Sequence, residues 1–117
     1  MDVNQYDIVL VNLDPTVGSE IKKTRPCVII SPNEMNKYLR TIIVAPMTTN
    51  TKKYPTRILV KSHGKNGMIA IDQVRTIDKQ RIVKVFESLS NSDIKKCKKV
   101  LKRVKRAKKY NSHLISY

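Results

Sequence analysis

Short apolar runs separated by polar turns dominate the first 90 residues of the chain. The runs at 6–13, 26–31 and 41–47 are rich in β-branched and large apolar residues and predict three strands. Turn-forming and charged residues between the first two runs predict a loop of about ten residues at 14–23, a length typical of loops that are functional or disordered. Further elements are a short helix over 32–38, strands over 56–60, 68–77 and 81–86, and a turn at 63–67.

The last quarter of the chain has helical periodicity instead. Ser90 is a favourable N-cap, with Asp93 three residues later. Six apolar side chains fall on one arc of roughly 140° at the α-helical period, while Lys and Arg fill the rest of the circumference. The six are Ile94, Cys97, Val100, Leu101, Val104 and Ala107. Because Lys108 would project back onto this arc, the packed part is predicted to end near residue 107, with 108–117 as a frayed tail.

These elements predict a single domain over 1–117, packed over about 5–107, of the mostly β class with helices (α+β). Several short strands, few helices and one C-terminal helix describe a small, strongly bent, barrel-like sheet with helices attached. The length of 117 residues and mass of 13.5 kDa suit one domain, and they allow a core without metal or disulfide staples.

The charge of the chain is strongly positive. Lys and Arg number 24 against 9 Asp and Glu, for a formal net charge of +15. Nucleic acid is therefore the first partner to consider, ahead of acidic proteins and anionic membranes. Residues 91–117 hold 10 basic and 1 acidic side chains, so more than half of the excess lies at the C-terminal end. This helix is predicted to present a solvated basic face that adds nonspecific attraction to RNA.

Several classes of protein are excluded by composition. With the two His and two Cys of this chain, a Cys/His zinc finger is not available, and no run of about 18 apolar residues exists that could span a bilayer. The N-terminal residues lack a basic and an apolar signal region, which favours a cytoplasmic protein. Cys27 and Cys97 are expected to be buried reduced thiols, and His63 and His113 exposed surface residues.

Candidate chemistry is confined to three polar segments beside apolar strands, where a rigid sheet usually carries a site. They are the loop at 14–24 leading into Arg25, the pair Thr48-Thr49 and the pair Asp72-Gln73. Each has a structural alternative. Arg25 could be a surface residue paired with Glu20, the threonines could bond strand-end backbone groups, and the last pair could be a structural polar plug.

Four sequence blocks follow one another in a fixed order along the chain. They read Leu13-Asp14-Pro15-Thr16-Val17-Gly18-Ser19-Glu20, Thr24-Arg25-Pro26-Cys27-Val28-Ile29-Ile30-Ser31-Pro32, Val44-Ala45-Pro46-Met47-Thr48-Thr49 and Asp72-Gln73-Val74-Arg75-Thr76-Ile77-Asp78. In this order, over roughly residues 5–107, they resemble the MazF/PemK (Kid) family of toxin endoribonucleases. The resemblance implies an SH3-like barrel of the CcdB/PemK type and a homodimer. It also implies cleavage of single-stranded messenger RNA without metal or cofactor, leaving a 2′,3′-cyclic phosphate and a 5′-hydroxyl.

The resemblance also assigns roles to residues. Arg25 would stabilise charge on the phosphate and is the leading acid/base candidate, Thr48 would donate its hydroxyl to the phosphate, and Glu20 would orient Arg25 or act as base. The residues expected to bind RNA are Thr16, Gly18, Ser19, Thr49, Asp72 and Gln73.

The chain is similar to the MazF-like rather than the Kid-like subgroup. The Kid-like subgroup has a His where this chain has Ser19 and an Arg where it has Ala70, whereas the MazF-like pair Arg25 and Thr48 is intact. A toxin of this kind implies a cognate antitoxin, and the charge of +15 predicts an acidic, largely disordered inhibitor.

Two other functions stay open at this point. A barrel of the same type could act as a non-enzymatic toxin that poisons DNA gyrase, or as a basic RNA-binding module. The chain has five Tyr and one Phe, and Tyr6, Tyr38 and Tyr54 lie near predicted loops, where single-strand binders often place rings for base stacking.

Overall fold

Seven strands and two α-helices make up the part of the chain that the computed structural model describes, which is residues 2–14, 23–62 and 65–110. In chain order they are β1 (Asp7–Asp14), β2 (Lys23–Ile29), α1 (Asn33–Tyr38), β3 (Thr41–Thr48), β4 (Arg57–Ser62), β5 (Lys65–Ala70), β6 (Arg75–Asp78), β7 (Ile82–Ser88) and α2 (Asn91–Tyr110). Short 3₁₀ turns occupy Ile71–Gln73 and Lys79–Arg81. The strand pairs are antiparallel, so the predicted mostly β class with a C-terminal helix is confirmed.

The apolar run of β1 is continuous because both of its faces are buried. Val9 and Val11 belong to one hydrophobic core, and Ile8, which points the other way, belongs to a second. The sheet therefore carries a core on each side, with β1 between them.

The inner core is enclosed by a curved sheet in the order β7-β1-β2-β3-β6. Its side chains come from all five strands, and most of them are fully buried. They include Val9, Val11, Cys27, Ile29, Ile42, Val44, Ile77 and Ile82. Side chains from every strand of one curved sheet meet in this core, as in a small barrel.

Strand β3 belongs to two sheets. Its first residues, Thr41 to Val44, pair with β6, and its last two, Met47 and Thr48, pair with β5. The 3₁₀ turn Ile71–Gln73 joins β5 to β6 along this edge of β3. The single strand predicted over 68–77 is thus wrong: the polar pair at 72–73 is exposed and separates two strands that belong to different sheets.

The second core lies between the sheet, the β4–β5 hairpin and α2. Ile58, Val60 and Ile69 of the hairpin are buried in it together with Cys97 and Val100 of the helix. The backbone N–H of Asp93 donates to Ser90 Oγ at 3.2 Å, which confirms the predicted N-cap.

Helix α2 runs on to Tyr110, so 108–110, predicted as part of a frayed tail, is helical in backbone. The rest of the predicted tail, 111–117, lies outside the described residues. Over the described ranges, no helix combines the length and apolar character needed to cross a membrane.

Two strands, β2 and β5, begin three residues earlier than predicted. Strand β2 begins at Lys23 rather than Pro26, because Thr24 and Arg25 pair with Asn12 and Val11 of β1. Likewise, Ser62 pairs with Lys65, so most of the turn predicted at 63–67 belongs to β5. The first difference matters for function, since Arg25 is held by a sheet rather than by a loop.

Candidate active site

Arg25 and Thr48 are neighbours on adjacent strands. The register of β2 with β3 pairs Cys27 with Pro46. Beyond this pair, Arg25 near the start of β2 and Thr48 at the end of β3 both line one groove. The two residues selected from the sequence as a catalytic pair therefore come together.

A groove of about 520 Å³ opens beside this pair, within the usual range for ligand sites. Its polar residues are Thr24, Arg25, Thr48, Thr49 and Asn66. Apolar side chains, among them Ile8, Met47, Val60 and Phe86, line the rest of it. The groove thus offers cationic and hydroxyl groups to phosphates and an apolar surface to bases.

The hydroxyl of Thr48 keeps a proton to donate. The backbone N–H of Asn50 donates to Thr48 Oγ1 at 3.2 Å, so this oxygen acts as an acceptor within the protein. A hydroxyl has one proton as well as its lone pairs, and that proton stays available for an oxygen in the groove. The Thr48 hydroxyl therefore accepts a hydrogen bond from a backbone N–H at the strand end, as the structural alternative expects. It can still donate a hydrogen bond of its own.

Arg25 presents an exposed guanidinium at the groove. Of the carboxylates whose side chains the structure describes, none forms an ion pair with it. Its planar fork of N–H donors matches two oxygens of one phosphate. The alternative pairing with Glu20 falls outside the described residues.

A second exposed arginine, Arg75, lies on the same face of the sheet as Arg25, although it does not line the groove. On β6, Arg75 pairs with Val44, which pairs in turn with Ile29, so Arg75 shares a face of the sheet with Cys27 and Arg25. Burial raises the pKa of the Cys27 thiol to about 12, against the opposing effect of the positive charges of Arg25 and Arg75. Both charges are thus near Cys27, which itself stays neutral at physiological pH.

The family resemblance assigns no role to Arg75, although this residue stands in the fourth sequence block. The site residues expected from that block are Asp72 and Gln73. Thr24 and Asn66, two polar residues of the groove, were also missed. Thr24 directly precedes Arg25 in the second block, whereas Asn66 had no signal because it was assigned to a turn.

Comparison with known proteins decides the family. The family described as PemK-like, MazF-like toxin of type II toxin-antitoxin system matches residues 4–104. The chain belongs to this toxin family. A curated member, endoribonuclease MazF of Staphylococcus epidermidis, is 36% identical over 96 residues, which cover 77% of this chain and 80% of that protein.

Solved structures of PemK/MazF-type toxins share the fold. A MazE–MazF crystal structure from Deinococcus radiodurans matches with a TM-score of 0.76 and 21% identity, covering 89% of this chain and 96% of that one. An endoribonuclease in complex with its cognate antitoxin, from Mycobacterial species, matches with a TM-score of 0.73 and 16% identity over 85% and 90% of the two chains. The predicted family and fold are therefore confirmed.

The pair Asp72 and Gln73, expected from the family resemblance to bind RNA, does not line the groove. Both residues are exposed on the 3₁₀ turn after β5, four and five residues beyond Met68, which pairs with Thr48. Asp72 Oδ1 instead accepts hydrogen bonds from Thr56 and Arg57. Its visible role is to hold these two side chains.

The remaining family positions lie on the segment between β1 and β2. Thr16, Gly18, Ser19 and Glu20 are outside the described residues. The ends of this segment, Asp14 and Lys23, pair with each other, next to Thr24 and Arg25 at the groove.

Proposed function

We propose that this member of the PemK/MazF-type toxin family is a sequence-specific endoribonuclease that cleaves single-stranded messenger RNA without a metal ion and so stops translation and growth. The observation that carries the proposal is the placement of Arg25 and Thr48 side by side in one groove. The name of the Staphylococcus epidermidis relative, endoribonuclease MazF, supports the same activity.

The reaction is an attack of a ribose 2′-OH on the adjacent phosphate. A bond forms between the 2′-oxygen and phosphorus, and the bond from phosphorus to the 5′-oxygen breaks, so the products carry a 2′,3′-cyclic phosphate and a 5′-hydroxyl. One proton leaves the 2′-OH and one is delivered to the 5′-oxygen. Negative charge builds up on the non-bridging oxygens between these events, and stabilising it is the main contribution a protein can make.

Arg25 and Thr48 supply that stabilisation. The Arg25 guanidinium binds two phosphate oxygens at once, and the Thr48 hydroxyl donates a further hydrogen bond. Arg25 also serves as the acid/base candidate, with Glu20 as the residue that orients it or accepts the 2′-OH proton. RNA is held further by Thr16, Gly18, Ser19 and Thr49.

Arg75 adds a second cation near the bound phosphate. Replacing Arg75 with Ala should lower kcat/KM for RNA cleavage about tenfold, because a hydrogen bond to a charged group contributes about 1.5–3 kcal/mol. The matched control is Arg40→Ala, which removes an exposed arginine next to the start of β3, at the other end of that strand from Thr48. Equal cleavage rates for the two variants would remove Arg75 from the mechanism.

The activity is tested with purified protein and a defined single-stranded RNA in the presence of EDTA. We expect fragments whose 5′ ends accept a phosphate directly from a polynucleotide kinase and whose 3′ ends carry a cyclic phosphate by mass spectrometry. Protein with Arg25→Ala, purified in the same way, controls for contaminating nuclease. Intact RNA across many sequences together with inhibited gyrase would favour the non-enzymatic toxin, and binding without cleavage or toxicity would favour the RNA-binding module.

Partners and location follow from the same proposal. The protein would act as a homodimer in the cytoplasm, and a cognate acidic antitoxin would keep it inactive. The similar structures from Deinococcus radiodurans and Mycobacterial species are complexes with an antitoxin. The charge of +15 supplies the attraction that such an inhibitor needs.

A further inference from the structure

A cationic cluster surrounds Tyr54 outside the groove. Tyr54 lies in the loop between β3 and β4 and is 42% exposed. The Arg57 Cζ lies 4.9 Å from the centre of its ring and the Lys52 Nζ lies 5.5 Å from it. Both distances are within the range of a cation–π contact, so the ring is held in place while much of its surface is open to solvent.

Arg57 is fixed by the 3₁₀ turn that follows β5. Its Nε lies 3.4 Å from Asp72 Oδ1, which also accepts a hydrogen bond of 3.1 Å from Thr56 Oγ1. The Arg57 side chain is only 13% exposed. Asp72 therefore sets the position of Arg57 and, through it, of the Tyr54 ring.

Helix α2 brings further cations to this loop. The Arg103 Nη2 donates to the Pro55 carbonyl oxygen at 3.3 Å, which ties the helix to the residue next to Tyr54. Lys99 lies one turn before Arg103 on the same stripe of the helix, and both are exposed. The Tyr54 patch, as we define it, consists of Lys52, Tyr54, Arg57, Lys99 and Arg103.

We propose that the Tyr54 patch is a second contact for single-stranded RNA, in which one base stacks on Tyr54 and the neighbouring phosphates meet the exposed cations Lys52, Lys99 and Arg103. This proposal rests on the proposed function in one respect: the RNA that contacts the patch would be the RNA that occupies the groove. An open aromatic ring among cations suits a nucleotide, which offers a flat base and an anionic phosphate together. An acidic protein segment would use the positive charges of the patch but would gain nothing specific from the exposed Tyr54 ring, so the patch favours RNA.

One RNA strand can reach both places. Thr49 lines the groove and Tyr54 follows five residues later, so the two are at most ~18 Å apart along the chain. A stacked strand, at ~3.4 Å per nucleotide, covers that distance with about five nucleotides. Bases flanking the cleavage position would therefore lie on the patch.

The test uses a 2′-O-methyl oligonucleotide of mixed sequence and about 15 nucleotides, which cannot undergo 2′-OH attack, with affinity measured by fluorescence anisotropy. Tyr54→Leu should weaken binding about tenfold, since base stacking on an aromatic ring contributes ~1–3 kcal/mol. Tyr54→Phe keeps the ring and should bind like the unmodified protein. Tyr54 is exposed, and thermal melting checks that each variant is folded.

Two double variants separate the patch from the general charge of α2. Lys99→Gln with Arg103→Gln removes two charges on the patch side, and Lys98→Gln with Lys102→Gln removes two from another side of the same helix. The first pair should reduce affinity several-fold more than the second. A poly-glutamate peptide, measured in parallel, probes the acidic-protein alternative.

Loss of affinity in Tyr54→Leu and in the first double variant supports the patch whether or not the unmodified protein cleaves RNA. Unchanged RNA binding by Tyr54→Leu, equal losses in the two double variants, or an effect on poly-glutamate alone would overturn it. Cleavage by the unmodified protein is scored separately, so failure of the patch and failure of the endoribonuclease proposal are distinguishable.

Discussion

Replacing Arg25 with Ala should lower the rate of RNA cleavage about a hundredfold while the fold survives. Arg25 is exposed, so its removal costs little packing, and it is the cation that lines the groove together with Thr48. Losing one group that stabilises the charged transition state typically costs ~3 kcal/mol. Single-turnover cleavage of a defined RNA measures the rate, and melting curves for each variant show whether the fold is retained.

Thr48→Ala should have an effect of similar size, and Thr48→Ser should recover most of the rate because it restores the hydroxyl. If Arg25 and Thr48 bind the same phosphate, the double variant should be less impaired than the product of the two single effects predicts. Arg40→Ala serves as the control for loss of a surface arginine. Normal cleavage by Arg25→Ala would remove the mechanism proposed above.

Association with an acidic antitoxin should slow about a hundredfold between low salt and 0.5 M salt. The net charge of +15 steers an anionic partner over long distances. That steering is lost as the Debye length falls from about 10 Å at 0.1 M salt to about 4–5 Å at 0.5 M. Stopped-flow measurement of the association rate against salt concentration tests the expectation.

Competition with a noncleavable RNA completes the experiment on the antitoxin. We expect the inhibitor to displace RNA from the groove and to engage both protomers of the dimer. A rate that does not change with salt, or a ternary complex in which RNA still contacts Arg25 and Thr48, would contradict this model of inhibition.

The apolar runs of the sequence were sufficient to predict β1, β3 and α2, since burial alone determines these elements. The start of β2 was missed because Thr24 and Arg25 are polar, and only pairing with β1 makes them part of a strand. The break between β5 and β6 was missed for a related reason. The break exists because β3 pairs with β6 along its first residues and with β5 along its last two. The order of apolar and polar residues at 68–77 gives no sign of this change of partner.

The family resemblance was enough to name Arg25 and Thr48 as the proposed catalytic pair, but it could not show that they lie close together. Their proximity depends on the register of β2 with β3, a contact between residues far apart in sequence. Arg75 lies on the same face of the sheet as Arg25 because β6 pairs with β3 in a register that sets Arg75 opposite Val44. Asp72 differs from these residues: it belongs to one of the family blocks, but its carboxylate pairs with Arg57 away from the groove.

The double membership of β3 has a consequence for how such toxins diversify. In the part of the chain that the structure describes, the backbone of the β4–β5 hairpin pairs with the rest of the sheet only through Met47 and Thr48. The hairpin is thus an attachment whose exposed groove residue, Asn66, can change without rebuilding the barrel. In the function proposed above, Thr48 at the joint would stay in place while this wall of the groove is replaced, so new RNA preferences could arise at an unchanged reaction centre.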